Sequence, residues 1–136
     1  MRVAKLLHCG SLAVALAWPA WAAEPTTPTQ LLAAYTAQAG APASPERGQK
    51  LFNTNFGREL GLSCASCHGA APQKNGSHAL TEKRIAPLAP AANPARFTDR
   101  TAVELNFRIN CKDVVGRECT AAEKADVLSW LLTLKP

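Results

Sequence analysis

The sequence has a single methionine, Met1, so no methionine thioether is available as a metal ligand anywhere else in the chain. It also shows no alternating strand pattern, no internal repeat and no glycine-rich phosphate loop. These absences argue against a sheet-based architecture, a solenoid and a P-loop nucleotide site, respectively. What remains is a chain of helices and loops, for which the sequence predicts an all-α fold.

The N-terminus has the three parts of a secretory signal peptide. Arg2 and Lys5 supply positive charge, Leu6 to Trp18 form the apolar stretch, and Ala20-Trp21-Ala22 is a cleavage site of the A-x-A type. The apolar run of about 13 residues is shorter than the roughly 20 that a membrane span needs, so we expect no membrane anchor after cleavage. The sequence therefore predicts a periplasmic protein, with a signal peptide over 1–22 and one domain over 23–136.

The most informative feature is the stretch Cys64-Ala65-Ser66-Cys67-His68. Two cysteines separated by two residues, with a histidine directly after the second, form the c-type haem attachment pattern. One helical turn starting near Cys64 would bring both thiols to the vinyl groups of one porphyrin edge and would place His68 over the ring face to bind iron. A thiol redox pair or half of a zinc site needs no histidine there. We therefore predict one covalently attached haem c, held by Cys64 and Cys67, with His68 as the proximal iron ligand.

Two further cysteines remain after signal cleavage, Cys111 and Cys119. In an oxidising compartment such a pair indicates a disulfide, which would stabilise the fold by roughly 2.5 kcal/mol on the chain-entropy model. The alternative is a zinc site formed by all four cysteines. The spacing of the second pair and the presence of His68 argue against it.

The mature chain carries a small excess of positive charge. Loss of the signal leaves thirteen Lys and Arg against ten Asp and Glu, a net charge near +3. This excess is too small and too scattered to predict nucleic acid binding, which requires a clustered basic face. A modestly positive face for an acidic redox partner and an ordinary solvated surface both remain open.

Capping residues and apolar periodicity predict four helices besides the turn at Cys64. They are Gln30 to Ala39, a helix that starts at Pro45 and has Phe56 on its apolar face, a helix that starts at Thr98 or Asp99 and ends near Asn110-Cys111, and a helix after Thr120. Residues 69–94 are predicted to form a loop, within which 85–90 is extended. That segment either packs against a flat group such as a haem edge or is a plain connection.

Because methionine is excluded, the distal side of the iron needs another ligand or stays open. His8 leaves with the signal and His68 is proximal, so His78 is the histidine candidate, although its polar turn also suits an exposed loop residue. Asn110 is the other candidate, beside Cys111 at the predicted end of a helix, where asparagine is commonly a cap. A neutral amide would bind ferric iron better than ferrous iron and could leave on reduction.

Motifs along the mature chain, from about Thr29 to Leu134, resemble those of the SHP family. These proteins are small monohaem, oxygen-binding cytochromes c related to class I cytochromes. The motifs are Gln30-Leu31-Leu32, Ala39-Gly40-Ala41-Pro42, Glu46-Arg47-Gly48, Cys64 to Gly69, Ile85 to Pro90, Arg96-Phe97-Thr98-Asp99, Asn110-Cys111, Val115-Gly116-Arg117, Cys119-Thr120 and Glu123-Lys124-Ala125-Asp126.

In the SHP family an asparagine is the distal iron ligand of the oxidised protein, and a cysteine of a short disulfide loop follows it immediately. The matching residues here are Asn110, with Cys111 and Cys119 as the bridge. The resemblance implies a class I cytochrome c-like fold with an additional N-terminal helix. It also implies a ligand that dissociates on reduction, so that oxygen, nitric oxide or carbon monoxide can bind, and a dihaem cytochrome c or a membrane cytochrome b as electron donor.

The expected function is therefore to accept electrons and to bind a diatomic ligand. One alternative is a simple electron carrier, against which the missing methionine counts because a strong sixth ligand keeps reorganisation on electron transfer small. Another is a small haem enzyme that reduces oxygen, a peroxide or an oxidised nitrogen compound, or that dioxygenates nitric oxide. No acid–base constellation in the sequence supports the enzyme.

Overall fold

The structure, a computed structural model, describes residues 23–57 and 59–136. The predicted signal peptide over 1–22 lies outside the described residues. Within the described part of the chain, no helix combines the length and the apolar character that crossing a membrane requires.

Helices dominate the described chain, which confirms the all-α prediction. They are α1 (Pro28–Ala39), α2 (Pro45–Asn53), α3 (Cys64–His68), α4 (Arg100–Val114) and α5 (Ala121–Thr133). Two short strands, β1 (Gly76–Ser77) and β2 (Arg84–Ile85), pair in antiparallel register, with Gly76 opposite Ile85. This small hairpin was not predicted, because two residues per strand leave no alternating pattern in the sequence.

The helix starts follow from local side-chain chemistry. The hydroxyls of Thr27 and Ser44 accept hydrogen bonds from main-chain N–H groups in the first turns of α1 and α2, each of which begins with proline. Thr120 and Glu123 form a capping box at the start of α5. Gly40 ends α1 in the left-handed conformation, with φ of 65°.

Two predicted helix ends differ from the structure. Helix α2 ends at Asn53, so Phe56 lies beyond the helix instead of on its apolar face. Helix α4 continues past Asn110 and Cys111 to Val114. Cys111 and Val114 are both buried and lie three residues apart on one side of α4, so their burial favours the additional turn.

The core forms where α2 crosses α5. Gly48 permits this crossing, because a Cβ atom at that position would collide with the main-chain carbonyl of Asp126. The Phe52 and Trp130 rings pack with their centroids 4.9 Å apart. Leu128 and Leu131 of α5 are fully buried in the same cluster, together with Leu31 of α1.

A buried carboxylate ties the start of α2 to α5. Asp126 accepts hydrogen bonds from the Ser44 main-chain N–H at 2.7 Å and from Arg47 Nε at 2.7 Å and Nη2 at 2.8 Å. Partnered in this way, the buried charge of Asp126 fixes the orientation of the crossing. Removing Arg47 would leave that carboxylate buried without its cation.

Helix α4 is packed differently. Its main chain lies farther from the other described helices than the main chains of α1 and α2 lie from α5. Only Val103, Cys111 and Val114 of α4 are buried. The position of α4 therefore depends on individual side-chain contacts more than on close helix packing.

Candidate haem site

The sequence-predicted turn at Cys64 is present as α3. Ser63 caps it: the Ser63 hydroxyl accepts from the Ser66 main-chain N–H at 3.2 Å, and the Ser66 hydroxyl accepts from the Ser63 N–H at 2.9 Å. This capping box fixes a very short helix, on which Cys64, Cys67 and His68 follow one another within a single turn. Neither cysteine of the turn takes part in a disulfide.

The β1–β2 hairpin packs directly on α3. Gly76 lies so close that an added Cβ atom would collide with the main-chain carbonyl of Cys67. In the loop between the strands, the Ala79 N–H points at Cys67 Sγ, 3.4 Å away. The hairpin thus fixes both the main chain and the sulfur of Cys67, a role that the sequence alone did not reveal.

His68 lies against the core. The centroid of its ring is 6.3 Å from that of Phe52, and the Phe52 ring in turn packs against Trp130. Burial, and then the positive charge of Arg96, lower the pKa of His68 to about 4. The imidazole is therefore neutral at physiological pH, which is the form that binds a metal ion.

The donor set of α3 fits a haem. His68 Nδ1 is buried and has no partner among the described residues, and a buried polar atom without a partner commonly marks the place of a bound group or an ordered water. Burial raises the pKa of the Cys64 thiol to about 11, so this residue lacks the thiolate character of a redox-active cysteine. The described residues contain no group of three or more His, Cys, Asp or Glu that could hold a metal ion, which leaves the zinc alternative without support.

The extended segment after β2 is anchored by side chains. Arg96 donates to the carbonyls of Pro87 at 2.9 Å and Ala86 at 2.7 Å, and Asn93 donates to Pro87 at 3.1 Å. The Pro72 carbonyl accepts from the Leu88 main-chain N–H at 2.8 Å. Because the polar groups of this irregular main chain have partners, the segment is held in place without regular secondary structure.

Asn110 lies on α4, four residues before its last residue, and is exposed. The expectation that it ends the helix is wrong, so it is not a helix cap. Its side chain makes no hydrogen bond with another described residue. The next residue, Cys111, is buried and bonded to Cys119, with 5.6 Å between their Cα atoms. The predicted disulfide is thus present, and it holds the main chain beside Asn110.

His78 is exposed in the loop of the hairpin. Its Nδ1 atom accepts hydrogen bonds from the main-chain N–H groups of Leu80 and Thr81, each at 3.3 Å. The sequence left two interpretations of His78 open, a distal iron ligand and an exposed loop residue. This geometry is that of an exposed loop residue. The structure therefore joins Cys64, Cys67 and His68 on one turn, with Asn110 on a separate helix.

Two cysteines and a neutral imidazole on one short helix, within an all-α fold whose helices α2 and α5 cross at a glycine, define a c-type cytochrome. Residues 38–131 match the family described as "Domain of unknown function (DUF1924)". The cytochrome c-type protein SHP of Cereibacter sphaeroides is 50% identical over 122 residues, which cover 88% of this chain and 93% of that protein.

Solved structures agree with this assignment. The structure described as oxidized SHP, an oxygen binding cytochrome c, has a TM-score of 0.76 at 49% identity and covers 82% of this chain and 100% of its own. The solution structure of Methylophilus methylotrophus cytochrome c'', described as giving insights into the structural basis of haem-ligand detachment, has a TM-score of 0.70 at 36% identity, with 80% and 94% coverage. The chain belongs to the SHP family of monohaem cytochromes c, and its cofactor is one haem c with iron.

Proposed function

We propose that the protein accepts electrons in the periplasm and binds a diatomic gas, oxygen or nitric oxide, at a position that Asn110 occupies in the oxidised state and leaves on reduction. The bound haem supplies the redox-active iron and the position at which the gas binds. Cys64 and Cys67 attach it, and His68 is the proximal ligand. The observation that carries the proposal is that the Asn110 amide is exposed and has no hydrogen-bond partner among the described residues, while the adjacent disulfide holds its main chain.

The chemistry of the amide supports a ligand that leaves. Asn110 is a neutral, weak donor, so its bond gains most from the more highly charged ferric ion and weakens when the ion gains an electron. The Cys111–Cys119 bridge keeps the main chain in place meanwhile. Asn110 could therefore rebind on oxidation without refolding of α4.

Two relatives support the same conclusion. SHP is described as an oxygen-binding cytochrome c, and the structure of cytochrome c'' is described in terms of haem-ligand detachment. We further propose that the electrons come from a dihaem cytochrome c or a membrane cytochrome b, which the resemblance to the SHP family implies.

The test replaces Asn110 by alanine in the mature holoprotein. We expect the ferric absorption spectrum of Asn110→Ala to change towards water or hydroxide ligation, while the reduced protein binds carbon monoxide almost as the wild type does. Asn106→Ala is the matched control, because Asn106 is an exposed amide on the same helix, and its Nδ2 atom donates to the Ala102 carbonyl at 2.8 Å. It should leave the ferric spectrum unchanged.

His78→Ala separates the two ligand candidates. Because His78 Nδ1 caps its own loop, its loss should leave both oxidation states spectrally unchanged. If His78→Ala alters the ferric spectrum instead, or if the reduced wild type is low-spin and does not bind carbon monoxide, the chain is better described as a bis-histidine electron carrier.

A further inference from the structure

Three side chains from three helices meet at α4. The Tyr35 hydroxyl of α1 donates to Glu104 Oε1 of α4 at 2.6 Å, and Lys124 Nζ of α5 donates to Glu104 Oε2, also at 2.6 Å. Tyr35 is only 2% exposed. Both oxygens of one carboxylate on α4 are thus held from two other helices by short hydrogen bonds, one of them from a charged donor.

An aromatic contact extends this group towards Asn110. The ring of Phe107, one turn after Glu104 on α4, packs edge-on against Tyr35 with the centroids 6.1 Å apart. Lys124 Nζ lies 5.5 Å from the Tyr35 centroid and 5.7 Å from the Phe107 centroid. Phe107 precedes Asn110 by three residues, so the two side chains project from neighbouring positions on α4.

The Glu104 carboxyl and the Tyr35 hydroxyl have shifted pKa values that favour their hydrogen bond. Burial alone would raise the pKa of Glu104, but the hydrogen bonds from Lys124 and Tyr35 and the nearby positive charges lower it overall. Burial and the hydrogen bond to Glu104 raise the pKa of Tyr35, which therefore remains a neutral donor. At neutral pH the Glu104 carboxylate is therefore ionised and the Tyr35 hydroxyl can donate to it.

These contacts matter because α4 lacks the close helix packing that fixes α2 against α5. We infer that Tyr35, Glu104 and Lys124 are positioning residues for Asn110: they hold α4 on one side of the ligand, as the Cys111–Cys119 bridge holds it on the other, and so set how readily the amide leaves the iron. This inference rests on the proposed function. It means that α1, the additional N-terminal helix, also affects the site, because Tyr35 belongs to α1.

The test measures how fast the ferric holoprotein binds azide, because azide can enter only after the amide leaves. Tyr35→Phe removes one hydroxyl and keeps the ring. We expect azide to bind about fivefold faster, the factor that one net hydrogen bond is worth, and we expect the high-spin fraction of the ferric spectrum to rise. Carbon monoxide binding to the reduced protein should stay as in the wild type. Glu104→Gln should also speed azide binding, and it replaces Tyr35→Phe as the test variant if Tyr35→Phe does not fold.

Arg47→Gln is the matched control. It breaks the ion pair with Asp126 at the α2–α5 crossing, so it should lower stability without changing azide binding. A purely structural role of Tyr35 would give Tyr35→Phe the same pattern, and that result would overturn the inference.

A double variant separates this inference from the proposed function. In Asn110→Ala the amide is absent, so adding Tyr35→Phe should have no further effect on azide binding. If Asn110→Ala changes the ferric spectrum but Tyr35→Phe does not change azide binding, the proposed function stands and the inference fails. If Asn110→Ala leaves the spectrum unchanged, the proposed function itself fails.

Discussion

The crossing of α2 with α5 and the attachment of α4 are two different solutions to holding a helix in place. At the crossing, Gly48 allows direct main-chain contact and the rings of Phe52 and Trp130 fill the space beside it. Helix α4 is instead held by a carboxylate, an aromatic ring and a disulfide. The side that carries His68 is thus built by close packing, and the side that carries Asn110 by a few polar and covalent contacts.

The largest expected effect tests the packed side. Gly48→Ala places a carbon against the Asp126 carbonyl, and neither main chain can move without opening the crossing. We expect a loss of about 3 kcal/mol in the free energy of unfolding, measured by chemical denaturation of the holoprotein. Gly40→Ala is the control, because nothing lies near its Cβ position and only its positive φ opposes the change, at about 1 kcal/mol. Equal losses in the two variants would show that the crossing is not closely packed.

The next effect tests the α4 side. Replacing both Cys111 and Cys119 by serine should cost about 2.5 kcal/mol of stability on the chain-entropy model. Unlike Gly48→Ala, it should also alter the ferric spectrum, because it releases the main chain beside Asn110. The oxidised wild-type holoprotein, denatured without reductant, should show no titratable thiol. A thiol count of two would mean that the bridge is absent in solution.

The smallest effect concerns the start of α5, the helix that packs against α2 and that contacts α4 through Lys124. The hydrogen bond from Arg117 lowers the pKa of Glu123 more than burial raises it, and the Thr120 main chain adds to this. The pKa of Glu123 is lower in the folded than in the unfolded protein. Its contribution to folding stability is therefore present above the ordinary carboxyl pKa of 4.5 and is lost as the pH falls through the pKa of the folded state. Glu123→Gln should cost about 1 kcal/mol at neutral pH. If the stability lost in Glu123→Gln stayed the same as the pH was lowered, the ionised Glu123 side chain would not be the source of that stability.

Features set by neighbouring residues could be predicted from the sequence. The starts of α2 and α5 depend on Ser44 with Pro45 and on Thr120 with Glu123, and all of these lie within one turn of the ends they fix. The haem turn was predicted for the same reason. The end of α4 was not, because the turn after Asn110 is favoured by burial of Val114, which depends on tertiary packing.

Features that join distant parts of the chain could not be predicted. Tyr35, Glu104 and Lys124 come from three helices, and each alone reads as an ordinary core or surface residue. The contact of Gly76 with Cys67 is equally invisible in the sequence, because a glycine in a polar loop usually indicates only a turn. The candidate ligands were therefore found from sequence, and the contacts that position them were not.

The hydrogen bonds between Ser44, Arg47 and Asp126 also bear on the order in which the chain folds. Ser44 and Asp126 are 82 residues apart, and the haem turn lies between them. Contacts this distant in sequence form only after a long loop closes, which makes them slow and dependent on the C-terminal helix. We therefore expect the Cys64 and Cys67 thiols to be accessible for haem attachment in a chain that still lacks α5. Helix α5 would then complete the fold after α3 has received its cofactor.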